Sequence, residues 1–216
     1  MSETTPPRRT QAERTQQRKK QLIREAIRFF GQHGFHGARL AEIARAAGVT
    51  EPGLLHHFPS KEHLLMEVLA ERDRIDQERF DPAVQGAARD PLDALQELVE
   101  YNQTVPGLVQ LFTVLVAESI DEQHPGHEFF MRRYADLRAQ TTEILRQAQA
   151  RGEIRADISA EDLSVMVFAM MDGLQIQWLF EPEQIDMARV FGQLHRLLKC
   201  AGAEFPKQSE ESGNTP

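Results

Sequence analysis

Apolar residues along this chain recur at spacings of three and four, and Gly or Pro punctuates the rhythm almost wherever it breaks. In the first such segment Leu22, Ala26 and Phe30 share one stripe with Ile23 and Ile27 beside it, while Arg18, Lys19, Arg24 and Arg28 take other faces. That spacing matches the 3.6-residue period of an α-helix and conflicts with the two-residue alternation of a half-buried strand. The chain is therefore predicted to be all-α, with about nine helices and almost no strand signal.

The joints fall at Gly31–Gly34, Gly48, Phe58-Pro59, Asp90-Pro91, Pro106-Gly107, His124-Pro125-Gly126, Gly152 and Glu181-Pro182. The first helix is expected to stop at Gly31–Gly34, with short helices following near 40–47 and 51–57. Thr50 is the predicted N-cap of the third helix, and Pro52 fits its first turn, where a missing N–H costs nothing. Longer helices are expected to begin at Ser60, Asp90-Pro91 and His127. The segment 159–180 is apolar on most faces, but Ser164, Asp172, Gln175 and Gln177 interrupt it, so it reads as a core helix rather than a membrane span. A last helix is expected over 185–199.

Charge divides this chain unevenly. Residues 1–61 carry 11 Lys+Arg against 5 Asp+Glu, a net of +6, whereas residues 62–216 carry 14 against 28, a net of −14. A small basic module that meets phosphate, joined to a larger acidic one with another task, is the organisation this implies. The expected boundaries are a polar, basic arm over 1–14, the basic module over 15–61, the larger acidic module over 62–201, and a polar tail over 202–216. For Arg8, Arg9 and Arg14 two readings stand open, a solvated tail and a minor-groove or backbone contact. The single Cys200 cannot form an internal disulfide, and residues 1–21 have no signal-peptide character, so a cytoplasmic protein, bound at the nucleoid when on DNA, is expected.

The stretch 38–65, ARLAEIARAAGVTEPGLLHHFPSKEHLL, carries the chemistry. Two short helices flank a Gly turn, with Ala44 and Gly48 at the crossing and Ile43, Val49 and Leu54 inward, which describes a helix-turn-helix. The second helix is then exposed on one side, and its width suits the major groove of DNA. With the flanking IREAIRFFGQHGFHG, this segment resembles the tetracycline-repressor (TetR) family of bacterial transcriptional regulators, and MVFAMMDGLQIQWLFEPE resembles its C-terminal half more loosely.

The resemblance implies a three-helix DNA-binding head on an all-α effector and dimerisation domain. It also implies a homodimer through the last two helices, and repression of a double-stranded DNA operator relieved by a small-molecule effector. Carried onto this chain, it sets Thr50, Glu51, Pro52, Gly53 and His56 on the groove side of the recognition helix, His57 near phosphate and Lys61 on phosphate, with Leu54 and Phe58 as core anchors. Two positions depart from the family pattern. Leu55 stands where many members have a phosphate-bonding tyrosine, and Arg39 stands where a threonine commonly opens the second helix and supplies a longer cationic reach.

For the effector pocket the candidates are Tyr101, Phe112, Glu118, Phe130, Tyr134, Met166, Met170 and Trp178, since a Met-rich, aromatic lining suits an adaptable site. Asp172, in an otherwise apolar helix, needs a buried partner. No metal or other cofactor is expected: His56 and His57 point about 100° apart on a helix and no Cys or Glu cluster joins them. No G-x-S-x-G, Walker loop, H-E-x-x-H or C-x-x-C is present, so no enzymatic activity is expected. A helical carrier or enzyme that retains a basic domain is the alternative.

Overall fold

The computed structural model describes residues 10–84 and 91–199, with backbone alone at 76–84, 91 and 195. Its helices are α1 (Gln11–Gly37), α2 (Leu40–Ala46), α3 (Glu51–His57), α4 (Lys61–Val84), α5 (Pro91–Thr104), α6 (Pro106–Glu118), α7 (His127–Ala150), α8 (Ala160–Phe180) and α9 (Met187–Leu198). Among the described residues the one β feature is an isolated bridge between Ile154 and Lys199. Arg8, Arg9, Cys200 and the tail lie outside the described residues.

Two compact units result, one of residues up to Ile75 together with Gly107–His127, the other of Asp76–Pro106 with the residues from Glu128 onward. The first unit is built on Leu22, Ala26, Phe30, Ile43, Leu54, Phe58, Leu64, Leu65 and Leu111, each at most 1% exposed. Large apolar side chains buried this fully contribute about 1.5–3 kcal/mol apiece, which is what holds helices as short as α2 and α3 in place. Three expectations change here. Helix α1 begins at Gln11 rather than after Arg14, because Thr10 and Glu13 form a capping box: Thr10 Oγ1 accepts from Glu13 N–H at 3.2 Å and Glu13 Oε2 accepts from Thr10 N–H at 2.7 Å. Nor does α1 stop at Gly31–Gly34; it breaks at Gly34 (φ 68°, ψ −178°) and resumes to Gly37. The unit also extends past residue 61 along α4 and takes in α6. The backbones of α1 and α6 approach so closely that a Cβ on Gly31 would sit 3.2 Å from Leu111 N.

In the second unit α9 packs on α5 and α8. Leu92, Leu95, Val99, Leu163, Val167, Met171, Met187 and Phe191 form its interior. Ala188 N–H donates to Gln103 Oε1 at 3.1 Å, which satisfies one of the free N–H groups at the start of α9, and Gln96 Nε2–H donates to the Ala188 carbonyl at 2.9 Å as a second tie from α5. Ser164 donates to the Arg138 carbonyl at 3.1 Å, tying α8 to α7. Ser159 caps α8 by accepting from Asp162 N–H at 3.0 Å. By length and apolarity α8 could span a membrane, yet it buries Ser164 and Gln175 along with Leu163, Val167 and Trp178.

Candidate nucleic-acid interface

The head is assembled from three local devices. Gly48 adopts φ 69°, the left-handed region that lets the chain reverse between α2 and α3. Thr50 then caps α3, its Oγ1 accepting from Gly53 N–H at 3.2 Å, with Pro52 in the first turn. Beneath them Leu54 and Phe58 are buried and Ala44 gives α3 room at the crossing. The outer face is left open: Thr50, Glu51, Pro52 and His56 are exposed and Gly53 and His57 half-buried, as a groove-reading helix requires. Leu55, at 36% exposure, adds an apolar patch in place of a phenol.

Arg39 occupies the N-cap position of α2 without bonding the helix, and its side chain is 79% exposed, 4.0 Å from Glu42. It can reach outward, as the sequence reading expects of a longer cation. Lys61 is held more tightly. Its Nζ donates to the His36 carbonyl at 3.3 Å and lies 4.8 Å from the centre of the Phe35 ring. Burial lowers its pKa, and Glu62 and Glu118 oppose that shift.

Two cations that sequence reasoning assigns only to the faces of α1 brace the head from behind. Arg18 Nη1–H donates to the Ala47 carbonyl at 3.3 Å, closing the C-terminal end of α2. Lys19 pairs with Glu67 at 3.0 Å and sits 5.6 Å over the Phe58 ring. The i, i+1 pairing of basic residues gives one to each neighbour, a signal visible only once α2 and α4 are placed. Burial lowers the pKa of His57, helped by His56, Arg18 and Lys19, so its ring is neutral at neutral pH.

The eight pocket candidates fall in both units. Phe112 and Glu118 belong to the first unit, Phe112 beneath the Arg72 guanidinium at 5.6 Å. Glu118 is engaged elsewhere, its Oε2 accepting from Phe35 N–H at 2.6 Å. Met166 is 51% exposed on the outside of α8, because it sits one residue before the buried Val167. Tyr101 and Met170 are half-buried, and Phe130 and Trp178 are core. Tyr134 donates to Asp172 Oδ2 at 2.7 Å, which supplies the partner that carboxylate needs. Burial raises the pKa of both groups. A gap in the second unit is lined instead by Val99, Asn102, Met171, Leu174, Gln175 and Met187, and it is too tight for a water molecule. Asn102 Oδ1 is buried there without a hydrogen-bond partner among the described residues. No group of three or more His, Cys, Asp or Glu among the described residues is arranged to hold a metal ion.

Comparison with known proteins bears on both units. The family model "Bacterial regulatory proteins, tetR family" matches residues 22–68, and "BetI-type transcriptional repressor, C-terminal" matches residues 89–200, just over half of the chain. The transcriptional regulator TtgR of Pseudomonas putida is 29% identical over 195 residues, covering 83% of this chain and 88% of that protein. The regulator RutR of Escherichia coli is 50% identical over 52 residues, 24% of each chain. Among solved structures, a transcriptional regulator from Saccharomonospora viridis in complex with choline superposes with a TM-score of 0.69 at 22% identity, over 84% of this chain and 95% of that one.

Proposed function

Because the chain belongs to the tetR family of bacterial regulatory proteins, we propose that it is a homodimeric repressor whose two α3 helices read a near-palindromic operator and whose grip a small molecule releases. Family membership makes it a DNA-binding transcription factor and sets aside the carrier or enzyme alternative. It works in the cytoplasm, on the chromosome.

The observation that carries this reading is the open face of α3, together with Arg39 at the start of α2 and Lys61 at the start of α4. In the proposed complex Glu51 and His56 meet base edges, Thr50 and Pro52 approach the groove wall, Gly53 lets the helix come close, and Lys61, His57 and Arg39 meet phosphate. Two such heads fit half-sites about 34–36 Å apart or a multiple of that, so head spacing governs affinity. An effector that prefers the wrong spacing weakens DNA binding reciprocally, by about 1–3 kcal/mol of coupling.

Support for the dimer comes from α8 and α9, where Val165, Met166, Ile176, Phe180 and Leu197 are 45–83% exposed in the single chain. An apolar set of that kind suits a symmetric helix-pair interface. Support for a small-molecule effector comes from the relatives, one of which was solved with a small molecule bound. The choline held by the Saccharomonospora neighbour makes choline a first ligand to assay.

Mobility shift with the DNA upstream of the coding region tests the reading. Salt-sensitive binding of a dimer to one protected, near-palindromic site is expected; equal affinity for every duplex, or none, overturns it.

A further inference from the structure

The last turn of α6 meets the break in α1 in a way that DNA binding alone does not explain. At Gly34 the backbone takes φ 68° and ψ −178°, a combination open essentially to glycine, and a Cβ there would collide with the Glu118 carboxylate. The next residue donates its N–H to Glu118 Oε2 at 2.6 Å, a short charge-assisted bond between residues far apart in sequence. The two residues after the break, Phe35 and His36, are those that seat Lys61: the ring lies 4.8 Å from its Nζ and the carbonyl accepts from it at 3.3 Å.

The seat is backed on its other side. His124, 3% exposed, stacks edge-on to Phe35 with ring centres 5.2 Å apart and lies 5.7 Å from His36. Its Nδ1 accepts from Gly126 N–H at 3.1 Å and from the Ser119 hydroxyl at 2.8 Å, which places the ring proton on Nε2, 3.7 Å from Glu118 Oε2. Residues immediately after α6 thus wall the same ring that carries the lysine.

We propose that Glu118 is a positioning residue for the phosphate contact: from the end of α6 it fixes the Phe35–His36 seat and through it the place of the Lys61 ammonium. This rests on the reading of Lys61 as a phosphate contact. Glu118, the Phe35–His36 seat and Lys61 all belong to the first unit, so the bond acts within it.

The salt dependence of operator binding, measured by fluorescence anisotropy on the full-length protein, tests this. Lys61→Ala lowers the slope of log affinity against log salt by about one per subunit. Glu118→Ala lowers it equally, and adds nothing in the Lys61→Ala background. Glu118→Gln, which keeps an acceptor oxygen for Phe35 N–H while removing the charge, retains most of the slope. Phe35→Leu, which keeps the N–H bond and an apolar side chain but removes the ring face, lowers it as Lys61→Ala does, and carries the test should Glu118→Ala not fold. An unchanged slope for Lys61→Ala overturns the phosphate assignment itself. With that assignment intact, a wild-type slope in Glu118→Ala or Phe35→Leu, or a Glu118→Ala loss of the same size with and without Lys61, overturns the positioning role.

Discussion

At Gly48 the left-handed turn and the open space around it separate two effects that are usually mixed. The nearest atom to an added Cβ is the Arg18 guanidinium at 4.0 Å, so Gly48→Ala meets strain without collision. It is expected to lose about 1–2 kcal/mol of stability in a chemical denaturation experiment. Thr50→Ala removes the cap on Gly53 N–H and costs about 1 kcal/mol in the same measurement. His57 has a sign that can be worked out. Its pKa is lowered by burial first, then by His56, Arg18 and Lys19, so it is neutral at neutral pH and takes up a proton at a lower pH than an ordinary imidazole does. Phosphate favours the protonated form, hence operator affinity rises as pH falls through that window. The same shift costs the fold stability in acid, because the unfolded chain takes up that proton more readily. Anisotropy titrations at about pH 7.5 and about pH 5.5 are expected to show a smaller acid gain for His57→Gln than for wild type; an identical pH response removes His57 from the phosphate contacts.

Between elements, a hydrogen bond from Tyr134 on α7 to Asp172 on α8 joins two helices of the second unit. Tyr134→Phe leaves a half-buried carboxylate without its donor and is expected to destabilise by about 1–3 kcal/mol, several degrees in a thermal melt, whereas Asp172→Asn loses less because it keeps an acceptor. An unchanged melt for Tyr134→Phe contradicts that account. The helices themselves are legible in sequence where capping chemistry is local: Thr50 with Pro52, Ser159 before α8, and Pro91 at the start of α5. Gly34 reads as a stop in sequence because a glycine ends one helix and kinks another by the same backbone freedom, and what decides is Glu118, 83 residues beyond Phe35 along the chain. For that reason too α6 cannot be assigned to the head's unit from sequence. Met166 and Val167 show the companion problem on an all-apolar helix, where no polar face says which side is inward.

For the molecule as a whole, the charge division has its counterpart in the predicted dimer. A net of −14 over residues 62–216 keeps that part of each chain off the duplex, leaving the basic segment to supply the attraction. Ile176→Glu and Phe180→Glu, both at exposed positions on α8, are expected to shift sedimentation at micromolar concentration from dimer to monomer. Operator affinity should fall with them, since each half-site is then bound alone. Dimeric sedimentation of both variants with full operator affinity places the interface elsewhere.

Helix α3 is seven residues long, well below the length at which a helix persists by itself in water. The surface proposed to read DNA therefore exists only while Leu54 and Phe58 remain buried, and an excised peptide would carry the right letters in no fixed order. Heat or denaturant that loosens the surrounding bundle silences recognition as completely as any inducer, so the gene under control reports the folded fraction of its own regulator.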